Sequence, residues 1–151
     1  MAINTGNSFL GLKFITQDET MSVAASNGTI NYTLTPPIGQ IYKIKNIFLA
    51  IEPPIGASSG THRVYLRPNG TLYQGAIVST FDHGVYIRYY AFEGNSTEQP
   101  SGATEQMNFL LNAISCSSTV PFVMRYDNNT DVEQTDSMEL QYVVEIYKEV
   151  L

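Results

Sequence analysis

Apolar residues recur at every second position through much of this chain, and this spacing commits it to extended strands with one buried face. The closing segment is the clearest case: one face carries Met138, Leu140, Tyr142, Val144 and Ile146. Successive side chains of a strand point to opposite faces, so a slip of one residue would bury the intervening carboxylates of Glu139 and Glu145. The pattern therefore fixes the register of this strand.

Turn-forming residues interrupt the alternating runs about every ten positions, which is typical of a sandwich or barrel. The predicted strands before the closing one are Ser8–Ile15, Thr29–Leu34, Ile41–Glu52, Thr61–Arg67, Leu72–Ser79, Val85–Phe92 and Val120–Tyr126. Together with long crossovers at 53–60 and 93–104, they predict an all-β, single-domain, antiparallel jelly-roll-like β-sandwich of roughly eight to ten strands. The sandwich should span 8–151 and follow a flexible N-terminal arm, 1–7.

Three local patterns refine this expectation. Asn69-Gly70 supplies the two positive φ angles of a type I′ turn, which predicts a hairpin with Tyr65 opposite Gln74. A second turn then leads into Val85–Phe92, so that these strands would form a three-stranded meander. Both faces are apolar from Ile47 to Ile51, which predicts that something besides the core covers that strand. Residues 105–115 fit a helix and a strand, and the surrounding strands favour a strand.

Charge and cysteine usage exclude several classes of partner. The net charge is -6 and the pI near 4.7, so the phosphate backbone of nucleic acid would be repelled. One cysteine, Cys116, permits no intrachain disulfide. The N-terminal residues carry no export signal and no apolar run reaches about 18 residues, which predicts synthesis in the cytoplasm and no membrane partner.

Motifs that could carry catalysis stand in the wrong context. Gly56 to Gly60 matches G-x-S-x-G, with Ser58 as the nucleophile, but that motif requires a strand-to-helix elbow and here an alternating strand follows. His62 shares a face with Val64, which predicts a histidine bonded inside the core. We therefore expect no catalytic residues, no enzyme activity and no cofactor.

A weak calcium motif lies near the C-terminal end. Asp127, Asn129 and Asp131 reproduce positions 1, 3 and 5 of an EF-hand loop. Val132 stands where that loop needs glycine, and Met138 stands where it needs the bidentate glutamate. An Asx-rich hairpin loop is the favoured interpretation, with the three residues kept as calcium candidates.

Arginines and tyrosines form the candidate contact surface. They are Arg63, Tyr65, Arg67, Tyr86, Arg88 and Tyr90. These residue types are enriched where proteins meet, because each buries a large flat surface and still offers hydrogen bonds. The pattern predicts self-association, and the alternative is a receptor- or glycan-binding module in which the tyrosines stack on sugars.

The layout resembles the small β-sandwich accessory proteins of tailed bacteriophage virions, of the decoration, head-fibre or tail-tip type. The likeness lies in IYKIKNIFLAIEPPIGASSGTHRVYL, PFVMRYDNNTD and SMELQYVVEIYKEV. It implies a non-enzymatic virion protein, commonly a homotrimer, held by surface contacts to other virion proteins of a capsid or tail. No functional residue transfers from the resemblance.

Overall fold

The structure, a computed structural model, describes residues 9–67, 77–92, 95–98 and 115–150. The predicted arm 1–7, the Asn69-Gly70 turn and residues 105–114 lie outside these ranges. The strands of the described residues are β1 (Phe9–Thr16), β2 (Glu19–Thr20), β3 (Gly28–Leu34), β4 (Gln40–Ile51), β5 (Gly60–Arg67), β6 (Ile77–Asp82), β7 (Ile87–Phe92), β8 (Asn95–Glu98), β9 (Ser115–Ser117), β10 (Phe122–Thr130) and β11 (Ser137–Lys148). None of the described residues forms a helix long and apolar enough to cross a bilayer.

Two antiparallel sheets face each other. The first has the order β1-β11-β4-β7-β8, with β2 added beside β11 and β9 beside β4, and the second has the order β3-β10-β5-β6. Among the described strands, the chain changes sheet between β2 and β3, β3 and β4, β4 and β5, β6 and β7, β9 and β10, and β10 and β11. Strands β1, β11, β4 and β7 packed over β3, β10, β5 and β6 form an eight-stranded jelly roll, so the predicted fold class is confirmed.

The core lies between the sheets and follows the predicted alternation. On β11, Met138, Leu140, Tyr142 and Val144 are buried, whereas Glu139 is exposed. The buried face of β5 consists of His62, Val64 and Leu66, and all three are 0% exposed. The predicted placement of His62 inside the core is therefore confirmed.

The predicted meander is wrong. Strands β5 and β6 do pair antiparallel, but Tyr65 lies opposite Val78 rather than Gln74. The four-residue shift preserves the alternation of faces and brings Phe81 opposite His62, where the two rings meet edge to face at 6.1 Å. Strand β7 then crosses to the other sheet and pairs with β4 and β8. A period of two is the same in either sheet, so the sequence pattern could not assign this strand.

A chain of buried hydrogen bonds starts at His62. Its Nε2 lies 2.9 Å from the carbonyl oxygen of Val85, which can only accept, so Nε2 carries the proton. Nδ1 is then the acceptor and receives the hydroxyl proton of Tyr126 at 3.1 Å. The Tyr126 oxygen in turn accepts from Gln134 Nε2 at 3.2 Å, which also donates to the carbonyl oxygen of Glu52 at 2.8 Å. Every hydrogen-bond donor in this series of side chains thus has a defined acceptor.

Asn128 joins the same set of bonds at the Val23 carbonyl oxygen, which also accepts from the Gln134 backbone amide. The side-chain amide of Asn128 donates to the carbonyl oxygens of Val23, at 3.1 Å, and Val132, at 2.8 Å. Its Oδ1 accepts from the backbone and the hydroxyl of Thr130. Together, His62, Tyr126, Gln134 and Asn128 form a polar network that joins four loops at one end of the sandwich: β2–β3, β4–β5, β6–β7 and β10–β11. Buried polar groups are costly when unpaired, so these loops hold one another in place.

Gly60 fixes the approach of β5 to β10. It has a φ of +90°, and a Cβ at this position would collide with the carbonyl oxygen of Asn129. Gly56, in the same loop, has a φ of +80° and open space around it.

We expect Gly60→Ala to lower the free energy of unfolding by about 3 kcal/mol, and Gly56→Ala by about 1 kcal/mol from backbone strain alone. Urea denaturation measures both, and equal losses would contradict the close approach.

The network also predicts an acid dependence of stability. Burial lowers the pKa of His62 to about 4, from an ordinary value of 6.5. The unfolded chain therefore binds a proton that the folded chain does not between these two values, and the free energy of unfolding should fall by about 3 kcal/mol as pH drops from 6.5 to 4. Above pH 6.5 this contribution is fully present. Urea midpoints across this pH range measure the loss.

The two histidines provide a matched control. His62→Gln should flatten the slope between pH 6.5 and 4, whereas His83→Gln, at the half-buried turn before β7, should keep it. If His62→Gln proves too unstable to study, the ring protons of His62 in the native chain should titrate by NMR with a midpoint near 4. A midpoint near 6.5 would show that the network does not hold the neutral ring.

Candidate functional surfaces

The six residues of the predicted contact surface lie on two different sheets. Arg63, Tyr65 and Arg67 belong to β5 of the four-stranded sheet. Tyr86 lies just before β7, and Arg88 and Tyr90 lie on β7 of the other sheet. They therefore do not form one continuous face. The structure describes the backbone of Arg67 and Tyr90 but not their side chains.

The outer face of the four-stranded sheet carries an arginine–tyrosine cluster, formed by Arg63, Tyr65, Arg125 and Asp127. Arg125 places its guanidinium 5.2 Å from the ring centre of Tyr65 and donates from Nε and Nη2 to the Asp127 carboxylate, at 2.5 and 3.1 Å. Asp127 is 6% exposed and lies opposite Arg63 in the register. The Asp127 carboxylate thus balances the charge of Arg125 within the chain.

On the other sheet the predicted residues form a smaller pair. The Arg88 guanidinium lies 4.7 Å from the ring centre of Tyr86. Arg88 is exposed and Tyr86 is half-buried. This contact can present a flat cationic surface to a partner.

The calcium candidates have other partners. Asp127 and Asn129 lie within β10 rather than in a loop, and the Asp127 carboxylate binds Arg125. The Asp131 carboxylate accepts from the Ser58 hydroxyl at 2.6 Å and from the amides of Ser58 and Ser59 at 2.9 and 3.2 Å. Over the described ranges, no three His, Cys, Asp or Glu side chains converge as metal ligands. The favoured interpretation of a hairpin loop is wrong, because β10 and β11 belong to different sheets. The three residues stay calcium candidates only.

The residues of the weak hydrolase motif are also engaged elsewhere. Ser58 lies in the β4–β5 loop, with strand β5 following as the sequence predicts, and its hydroxyl proton goes to Asp131. Both ring nitrogens of His62 are used by Tyr126 and Val85. Cys116 is buried, and burial raises the pKa of its thiol to about 12, which suppresses the reactive thiolate.

An apolar surface that the sequence pattern did not indicate lies on the outside of the seven-stranded sheet. Phe9, Leu12 and Phe14 of β1 lie opposite Tyr147, Glu145 and Val143 in the register, and they are 55%, 68% and 62% exposed. Val143 is half-buried, as is Phe48 on the neighbouring strand β4. We name Phe9, Leu12, Phe14, Phe48 and Val143 the apolar face. Scattered exposed apolar residues are normal, but several together mark a contact site.

A depression of about 330 Å³ opens on this face beside Phe14. Phe48, Val143 and Gln141 line it. Lys45 and Glu145, whose ion pair measures 2.9 Å, mark a polar border. The sequence predicts that something covers the apolar outer side of β4. In the described part of the chain, this side faces the open depression.

No family of proteins with a defined sequence model matches the chain, and no curated protein matches it. Among solved structures, a chain titled Desmodium yellow mottle tymovirus is similar over 100% of this chain and 94% of its own length, with 13% sequence identity and a TM-score of 0.43. The link to tailed bacteriophages stays a prediction.

The Ser58–Asp131 contact has a measurable signature. The pKa of the Asp131 carboxyl is lowered to about 2, and the hydrogen bond from the Ser58 hydroxyl is the largest cause. Ser58→Ala should raise this pKa toward its ordinary value of 3.8, measured by carboxyl-carbon NMR titration. Ser22→Ala is the control, because that hydroxyl bonds Glu133 instead. An unchanged Asp131 titration in Ser58→Ala would show that the Ser58–Asp131 hydrogen bond is absent in solution.

Proposed function

We propose that this chain is a non-enzymatic structural protein that self-associates through the apolar face and attaches to a larger assembly. The jelly roll is compatible with this role, since viral capsid domains use it, but lectins and cupins use it too, so the fold alone does not decide. The observation that carries the proposal is the cluster of exposed Phe9, Leu12 and Phe14 on one outer face. Covering such side chains removes apolar surface from water, which drives association.

The finer form of the proposal places the protein in a virus particle, of the tailed-phage kind that the sequence resembles. Its partners would be further copies of itself and other virion proteins of a capsid or tail. Two outer faces suit such a role: the apolar face for self-association, and the arginine–tyrosine cluster for a second contact. The exposed cation–π pair of Arg88 and Tyr86 on the other sheet is a further candidate for such a contact.

The proposal predicts the mass of the purified chain. Light scattering at micromolar concentration should give a multiple of 16.7 kDa. Leu12→Lys with Phe14→Lys should reduce that mass toward 16.7 kDa, because each copy loses about 3 kcal/mol or more of apolar burial at the contact. Ile38→Lys with Ile55→Lys is the matched control, because these side chains are 88% and 70% exposed and lie outside the apolar face.

Three outcomes separate the alternatives. A native chain that stays a monomer contradicts self-association and favours the glycan-binding alternative, which a glycan array then tests. Loss of association in Arg63→Glu but not in the Leu12 and Phe14 variant would move the contact to the arginine–tyrosine cluster. A loss of β circular dichroism in the lysine variant would call for the milder pair Leu12→Ser with Phe14→Ser.

A further inference from the structure

Strand β1 forms an edge of the seven-stranded sheet. It pairs with β11 on one side, and no strand of the described residues pairs with it on the other. An edge strand presents a row of unpaired amide and carbonyl groups, which another extended chain can bind.

The hydrogen bond of Gln17, the residue that follows β1, shows which backbone groups of β1 point to the open edge. Gln17 donates its amide to the carbonyl oxygen of Leu140 at 2.7 Å. Bonded pairs alternate along an antiparallel ladder, so the bonded pairs continue at Ile15 with Tyr142 and at Lys13 with Val144. The intervening residues, Leu12, Phe14 and Thr16, therefore direct their amides and carbonyls to the open edge.

Two of these residues also carry exposed apolar side chains. Leu12 and Phe14 are 68% and 62% exposed on the outer face of the sheet. Proteins usually protect an edge with charge, proline or a bulge. Here the protection consists of Lys13 and an irregularity at Leu10, and the stretch from Gly11 to Thr16 is otherwise regular.

We propose that the open edge of β1 binds β1 of a second copy, antiparallel and across a two-fold axis, by strand addition. This inference rests on the proposed self-association and specifies how it occurs. The sheet would continue from one copy into the next, with backbone hydrogen bonds for affinity and Leu12 and Phe14 of both copies packed on one face. A two-fold contact uses the same patch on both copies and gives even-numbered assemblies, in place of the trimer that the resemblance implies.

Area and charge both favour a second copy as the occupant. The exposed portions of Phe9, Leu10, Leu12 and Phe14 add up to roughly 500 Å² per copy, so two copies contribute roughly 1,000 Å² before any backbone contact, which is near the lower limit for a specific interface. The chain has a net charge of -6, yet β1 contains no carboxylate and only one lysine, Lys13. Two β1 strands can therefore meet without opposing acidic rows.

Residue-resolved amide exchange on the full native chain tests this inference. We expect the amides of Leu12, Phe14 and Thr16 to exchange about tenfold more slowly, or slower still, above the association concentration than below it. The amides of Lys13 and Ile15, already bonded to β11, serve as internal references. An oligomer in which the three outward amides exchange as in the monomer would overturn strand addition and leave the proposed function intact. A chain that is monomeric at every concentration would overturn both.

A pair of variants isolates the backbone bond. Leu12→Pro and Leu12→Ala both shorten the side chain, but only proline removes the outward amide. The proline variant should associate about tenfold more weakly than the alanine variant, while both retain the native β circular dichroism. Equal affinities would show that side-chain packing alone forms the contact.

Discussion

The two-residue alternation of side chains is the constraint on which this structure depends. It places Met138, Leu140 and Tyr142 in the core and leaves Gln141 and Val143 on the outside of the same strand. The same rule gives each sheet an outer surface whose chemistry is independent of the core. One outer surface carries the arginine–tyrosine cluster and the other the apolar face, so the fold separates what holds the protein together from what meets a partner.

The polar network around His62 differs in kind from the apolar packing around it. Apolar packing is non-directional, but the network requires specific donors and acceptors, and it reaches four loops at one end of the sandwich. A neutral ring is part of that arrangement, because a proton on Nδ1 would leave the Tyr126 hydroxyl proton without its acceptor. Loop geometry at this end is thereby tied to the protonation of one buried side chain.

Much of the fold followed from local patterns, and the rest did not for identifiable reasons. The faces of β5 and β11 and the burial of His62 were predicted because a single register satisfies their apolar residues. The sheet containing β7 was not, since alternation is identical in either sheet. The arginine and tyrosine positions were predicted as one face on the assumption of a meander, and the crossover at 83–86 separates them.

The apolar face was missed because exposure of Phe9, Leu12 and Phe14 depends on β1 being an edge strand, which is a property of the whole sheet. One signal was present: the apolar outer side of β4 from Ile47 to Ile51 indicated a missing cover, and Phe48 does lie on that face. Joining this signal to the exposed side chains of β1 required the strand order, which only the three-dimensional structure supplies.

An electron cryomicroscopy structure of the purified assembly tests the central claim most directly. We predict a contact between copies that covers Leu12 and Phe14, with the sheet continuing through β1 into a neighbour. An assembly in which β1 faces solvent on every copy, with the contacts made elsewhere, would contradict it.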